Sequence, residues 1–167
     1  MRRLLLVPAL ALAVIAAMTA PAGAGDQRTS LHRGVSVVLA AGWHMVRGRI
    51  SYVSQPAPMA VATFRVRLAR QSCECGMPNV AHFPRAGALL FVWEYQRLAH
   101  RDLRYFPAHA ARFRIGRSVI AHVCAPSDGR TFRERGRGFQ AEIYLGPAAP
   151  ASARAQIAAI LDSWRVS

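Results

Sequence analysis

The sequence of 167 residues contains no lysine, and it has only eight acidic residues and three cysteines. The absence of lysine excludes an enzyme that forms a Schiff base through a lysine side chain. It also excludes a nucleotide-binding loop that ends in Gly-Lys-Ser or Gly-Lys-Thr. Hydrophobic residues make up 53% of the chain, which excludes an intrinsically disordered protein. The length suits one domain and argues against two.

Long apolar runs are also absent, apart from one at the start of the chain. Residues 4–18 are apolar; they follow two arginines and precede small residues that end in Ala-Gly-Ala at positions 22–24. A basic start, an apolar run and an A-x-A motif are typical of a secretory signal peptide. No later run approaches the roughly 20 residues of a membrane-spanning helix. We therefore predict a secreted or envelope-associated protein with no membrane span after cleavage.

This export signal divides the chain into three parts. Residues 1–24 are predicted to be the signal peptide, residues 25–34 a flexible mature N-terminus, and residues 35–167 a single globular α+β domain. Cleavage removes two arginines and no acid, so the net charge falls from +14 to +12. The mature domain is therefore still strongly basic.

The mature chain alternates apolar and polar residues over short segments, a pattern typical of antiparallel strands with one buried and one solvent-exposed face. These segments comprise residues 35–39, 50–54, 59–69, 88–97, 113–115 and 117–125. Residues 131–135 and 138–145 predict a hairpin with Gly136 and Arg137 as its two-residue loop. In that register Phe132 opposes Ala141, and Phe139 and Ile143 share its face.

One helix is predicted at the C-terminal end, over residues 152–164. Ser152 can cap its first turn. Four apolar residues at positions i, i+3, i+4 and i+7 form one stripe along it: Ile157, Ile160, Leu161 and Trp164. The predicted fold class is α+β, with this helix packed on one face of an antiparallel sheet of about six to eight short strands.

Three short motifs resemble those of small secreted actinobacterial proteins whose function is unassigned. The motifs are Gly42-Trp43 after a strand, the run from Gly138 to Gly146, and the final Ile-Leu-Asp-Ser-Trp at 160–164. The early Gly-Trp and the closing Leu-Asp-Ser helix are also similar to the PsbP-like α+β fold. The resemblance implies an α+β fold for residues 35–165, and it implies no catalytic residues.

Cysteines and histidines give two alternative chemistries. In an oxidising compartment, Cys124 is expected to form a disulfide with Cys73 or Cys75, which leaves one thiol free. Alternatively Cys73, Cys75, His122 and Cys124 converge on one site, because residues at i and i+2 share a face of an extended chain. Three sulfurs and an imidazole suit Zn²⁺ or Cu(I), or a thiol-redox protein.

The arginines predict a surface for anions. Six of them lie at strand spacing, with Phe64, Phe113 and Phe132 interleaved among them: Arg65, Arg67, Arg112, Arg114, Arg133 and Arg135. Alternation turns the aromatic residues towards the core and the arginines towards water, where they form either a solvated basic face or a binding face. Export separates the protein from nucleic acid, so the expected partner is an anionic component of the cell envelope.

No motif for a catalytic nucleophile is present, and the eight acids show no spaced pair near a histidine. We therefore expect a non-catalytic domain that needs no cofactor and acts by binding. The Cys/His metal or thiol-redox protein is the competing hypothesis.

Overall fold

A computed structural model describes residues 28–47, 59–67, 80–96, 100–119 and 127–167. Its strands are β1 (Arg28–Ser30), β2 (Val35–Val38), β3 (His44–Met45), β4 (Met59–Ala62), β5 (Ala88–Tyr95), β6 (Asp128–Glu134), β7 (Arg137–Leu145) and β8 (Arg165–Val166). Its α-helices are α1 (His100–Leu103) and α2 (Ala151–Asp162), and a 3-10 turn spans His32–Gly34. These elements confirm the predicted α+β class.

The strands form two antiparallel sheets rather than the single sheet that was predicted. One has the order β1-β2-β8 and the other the order β3-β4-β5-β7-β6. After α2 the chain returns as β8 and pairs with β2, so the first and last parts of the described chain share the smaller sheet. Residues 25–34 are predicted to be a flexible N-terminus. Within them, however, Arg28 to Ser30 form strand β1, which pairs with β2.

The core lies between α2, the smaller sheet and one face of the larger sheet, which we call the inner face. The burial of the predicted apolar stripe is confirmed, because Ile157, Ile160, Leu161 and Trp164 are all fully buried in this core. The helix ends at Asp162, however, two residues before the predicted end, so Trp164 lies just beyond it. The predicted cap is wrong, because the helix begins at Ala151 after Pro150 and has no side-chain cap. Pro150 itself is the N-cap, with an extended backbone at φ −63° and ψ 148°, and it has no backbone N–H that would need a partner.

The β6–β7 hairpin has the predicted two-residue loop, but its register is shifted. The loop residues are Arg135 and Gly136, both at positive φ, and Phe132 opposes Phe139 instead of Ala141. Glycine tolerates the left-handed backbone that such a loop needs. In the predicted register Arg137 would lie in the loop; in the observed one it begins β7.

Two predicted strands are shortened or replaced by other structure. Strand β4 ends at Ala62 because the Thr63 hydroxyl accepts the Ala88 N–H at 3.0 Å, in the place of a ladder carbonyl. Residues 113–115 are not a strand; the Phe113 N–H donates to the Asp162 carboxylate at 2.6 Å. The predicted strand at 50–54 and most of that at 117–125 lie outside the described residues.

Candidate functional site

The predicted cysteine site falls outside the residues that the structure describes. Neither possible disulfide partner, Cys73 or Cys75, is among them, nor are His122 and Cys124. Within the described ranges, no group of three or more His, Cys, Asp or Glu side chains could hold a metal ion. The disulfide and the Cys/His metal or redox site therefore stay predictions.

The six arginines predicted to bind anions are all exposed, but they do not share one face. Arg65 and Arg67 follow β4, whereas Arg133 lies in β6 and Arg135 in the loop after it. Strands β5 and β7 lie between β4 and β6, so β4 and β6 are about 14 Å apart across the sheet. The predicted surface thus divides into two parts.

Arg112 and Arg114 belong with β6, because the segment that carries them lies along this edge strand. The Arg133 N–H donates to the carbonyl of Pro107 at 2.8 Å, and its carbonyl accepts the His109 N–H at 2.9 Å. Further along, the Arg130 guanidinium donates to the Arg114 carbonyl at 2.7 and 3.1 Å. These bonds satisfy some of the backbone N–H and C=O groups on the free edge of the sheet, and they fix the segment beside β6.

Phe113 sets the direction of the two arginines that flank it. Its ring is buried and meets the rings of Phe132 and His109 at centroid distances of 5.5 and 5.2 Å. With Phe113 in the core, Arg112 and Arg114 extend into solvent. The predicted alternation of aromatic and arginine residues is confirmed here, although the backbone is not a strand.

A second basic segment, which the sequence analysis missed, lies at the same edge. The Arg133 guanidinium donates to the Leu103 carbonyl at 3.1 Å, which holds helix α1 and the residues after it against β6. Arg101, Arg104 and Tyr105 project from this segment, and all three are exposed. We call the combined set the β6-edge surface; it comprises Arg101, Arg104, Tyr105, Arg112, Arg114, Arg133 and Arg135.

Acidic side chains within the fold are engaged elsewhere. Glu94 is buried and receives two hydrogen bonds from Arg137 at 2.7 and 2.8 Å, and Asp128 pairs with Arg130. The Asp162 carboxylate accepts a backbone N–H, as does that of Glu134. On the β6-edge surface the single ion pair among the described residues joins Arg101 to Asp102 at 3.8 Å.

Several arginines consequently have no acid to balance them. Among the described residues, no carboxylate lies within ion-pairing distance of Arg112, Arg114, Arg133 or Arg135. Their guanidinium groups keep most of their N–H donors for solvent or for an anion. A planar guanidinium binds carboxylate and phosphate groups through paired hydrogen bonds, so this surface has the chemistry of an anion receptor.

A buried polar row crosses the opposite face of the larger sheet, which we call the outer face. The Tyr95 hydroxyl donates to the Gln140 side-chain oxygen, and the Gln140 amide donates to Glu142 at 3.1 Å. The Tyr144 hydroxyl donates to the other Glu142 oxygen at 2.8 Å. Both carboxylate oxygens of Glu142 therefore have a donor, although the residue is only 4% exposed.

Burial raises the pKa of Glu142 above its ordinary value of 4.5, and the hydrogen bonds from Tyr144 and Gln140 oppose that rise in part. Burial, together with the Glu142 charge, also raises the pKa of Tyr95 and of Tyr144. The neutral forms of all three groups are favoured by the fold. The row serves as an internal hydrogen-bond network, since Glu142 is almost inaccessible to solvent.

The raised pKa predicts a pH dependence of stability. Between the ordinary and the raised pKa the folded protein holds a proton that the unfolded chain has lost, so stability falls as the pH rises through this window. Glu142→Gln removes this titration. In thermal melts from about pH 4 to about pH 8, the melting temperature of the variant should increase relative to that of the wild type as the pH rises. Parallel curves for the two proteins would contradict this assignment.

Comparison with known proteins does not identify a family. No family model matches the chain, and neither a curated protein nor a solved structure matches it. Within the described ranges no helix is long and apolar enough to cross a membrane. The resemblance to secreted actinobacterial proteins and to the PsbP-like fold therefore stays a prediction.

Proposed function

We propose that the protein is an exported, non-catalytic domain that binds an anionic polymer of the cell envelope through the β6-edge surface. The observation that carries this proposal is the group of exposed arginines without acidic partners. Three elements supply them: α1 and its following turn, the segment at 112–114, and the β6–β7 hairpin. All three border the edge strand β6, so their positive charges raise the electrostatic potential along this edge and attract polyanions.

A polymer suits this surface better than a small anion. The arginines are spread over three elements that border the edge strand β6, so each can contact a separate charge on a long chain. An exposed arginine–carboxylate pair contributes only about 0.2–1 kcal/mol, and several such contacts are needed for useful affinity. The predicted signal peptide supports an envelope partner, because an exported protein meets the anionic polymers of that compartment.

The test compares two triple variants that lose the same charge. Arg112, Arg114 and Arg135 are replaced by glutamine in one; Arg65, Arg67 and Arg85 are replaced in the other. All six are exposed, and no side-chain contact of theirs is seen among the described residues. The probes are polygalacturonate and long-chain inorganic polyphosphate, with affinity measured at low and at physiological salt.

The first variant should bind both polyanions about tenfold more weakly, since three exposed ion pairs are lost at about 0.5 kcal/mol each. The control variant should lose no more than about threefold, through the weaker long-range field alone. Equal losses in the two variants would show that only net charge matters. A wild-type protein that binds neither probe would refute the proposed function.

A further inference from the structure

We propose that the anionic polymer is an acidic polysaccharide, and that Tyr105 is the platform on which one of its sugar rings stacks. This inference rests on the proposed function and specifies its ligand class. Tyr105 is 71% exposed, and Val119, at 41%, is the other large hydrophobic residue exposed within the described ranges. An aromatic ring so far out in solvent, at the centre of a basic segment, contributes little to the core.

The chemistry of an exposed tyrosine ring differs from that of the arginines around it. The face of an aromatic ring carries partial negative charge. The C–H bonds on the apolar face of a sugar ring carry partial positive charge and fit against it. Inorganic phosphate polymers have no such face. A surface that combines guanidinium groups with an open aromatic ring therefore matches a polymer that carries both sugar rings and acid groups.

The backbone at Tyr105 is fixed by a turn. Its backbone N–H donates to the Asp102 carbonyl at 3.1 Å, and the next N–H donates to the Leu103 carbonyl at the same distance. Leu103 is buried, and the ring of Phe106 packs edge-to-face on Tyr95 at 5.2 Å. The residues on both sides of Tyr105 are thus fixed to the fold, which lowers the entropic cost of binding.

Arg104 places a cation over one face of the ring and leaves the other face open. Its Nη2 donates to the Tyr105 hydroxyl at 2.9 Å, and its Cζ lies 5.0 Å from the ring centroid. One N–H of five is used in that bond, so the others are available for a ligand. A sugar stacked on the open face of the ring, with its C5 carboxylate at the hydroxyl edge, would bring that carboxylate near the guanidinium, whose Nη2 lies at the same edge. The pair is therefore suited to a uronic acid unit.

The test uses Tyr105→Ala and Tyr105→Phe with the same two probes, polygalacturonate and inorganic polyphosphate. Tyr105→Ala should weaken polygalacturonate binding about five- to tenfold and change polyphosphate binding less than twofold. Tyr105→Phe keeps the ring and should retain polygalacturonate affinity within about threefold. Thermal melts check that each variant folds. We expect both to fold, because the Tyr105 side chain is exposed and its loss leaves the core intact.

The outcomes separate this inference from the proposed function. If Tyr105→Ala leaves polygalacturonate binding unchanged, or weakens both probes equally, the sugar platform is wrong. In that case a tenfold loss in the Arg112, Arg114 and Arg135 variant still supports the arginine surface. If that triple variant loses nothing while Tyr105→Ala lowers polygalacturonate binding alone, the ring platform stands without the arginine surface. Absence of polygalacturonate binding by the wild type would overturn the platform directly.

Discussion

Replacement of Trp164 by alanine should lower the free energy of unfolding by about 3–5 kcal/mol. The Trp164 ring is fully buried and lies where the end of α2 meets the β6–β7 hairpin. Its centroid is 5.7 Å from that of Phe132 and 5.1 Å from that of Phe139. Alanine would leave a large cavity between the helix and the sheet. Domains of this size have a total stability of about 5–15 kcal/mol, so the loss is a major fraction of it.

Chemical denaturation monitored by circular dichroism measures this loss. The matched control is Tyr105→Ala, which also removes an aromatic side chain but from the surface. The control should change the free energy of unfolding by no more than about 0.5 kcal/mol. A loss below about 1 kcal/mol for Trp164→Ala would mean that α2 does not pack on the sheet as described.

Replacement of Arg137 by alanine should also cost about 3–5 kcal/mol, for an electrostatic reason. The Arg137 guanidinium makes two hydrogen bonds to buried Glu94 and a third, at 2.8 Å, to the Arg33 carbonyl. Among the described residues, the other cation within ion-pairing distance of Glu94 is Arg33, at 3.4 Å. Without Arg137 the carboxylate stays buried with one poorly placed partner, and the contact that joins the hairpin to the 3-10 turn is lost.

The control for this prediction is Arg112→Ala, which removes the same charge from an exposed position. It should shift the free energy of unfolding by no more than about 0.5 kcal/mol. The same denaturation experiment measures both variants. Equal effects in the two would show that net charge, and not the buried pair with Glu94, determines the change.

The sequence predicts those parts of the fold that depend on local periodicity. The i, i+3, i+4, i+7 spacing from Ile157 to Trp164 is visible in the sequence, and all four residues are buried. The alternation around Phe113 correctly predicts which side chains face water. Both patterns depend on neighbours a few residues apart in the chain, so a single sequence contains the information.

Long-range pairing is less accessible to sequence reasoning. The hairpin register shifts by one residue on each strand, a change that keeps Phe132, Phe139 and Ile143 on one face and so leaves the apolar pattern intact. The pattern therefore cannot choose between the two registers; positive φ at Arg135 and the contact of Arg137 with Glu94 distinguish them.

The candidate site was predicted only in part, for a related reason. Arg101, Arg104 and Tyr105 lie in a polar connection without strand periodicity, and contacts of Arg133 with the Leu103 carbonyl and with the backbone at Pro107 and His109 hold this connection beside β6. Arg65 and Arg67 have the expected spacing but lie beyond two intervening strands. Spacing predicts which side chains are exposed; the order of strands in the sheet decides which exposed side chains share a surface.

The most direct measurement of the central claim is NMR titration of the ¹⁵N-labelled protein with a short oligogalacturonate. Arginine side-chain Nε–Hε signals and backbone amides report where the polyanion binds. We predict saturable shifts at Arg101, Arg104, Arg112, Arg114 and Arg135, with little change at Arg65 and Arg67. Shifts of equal size on both sides of the sheet, or no saturable shifts at the β6-edge surface, would contradict the account.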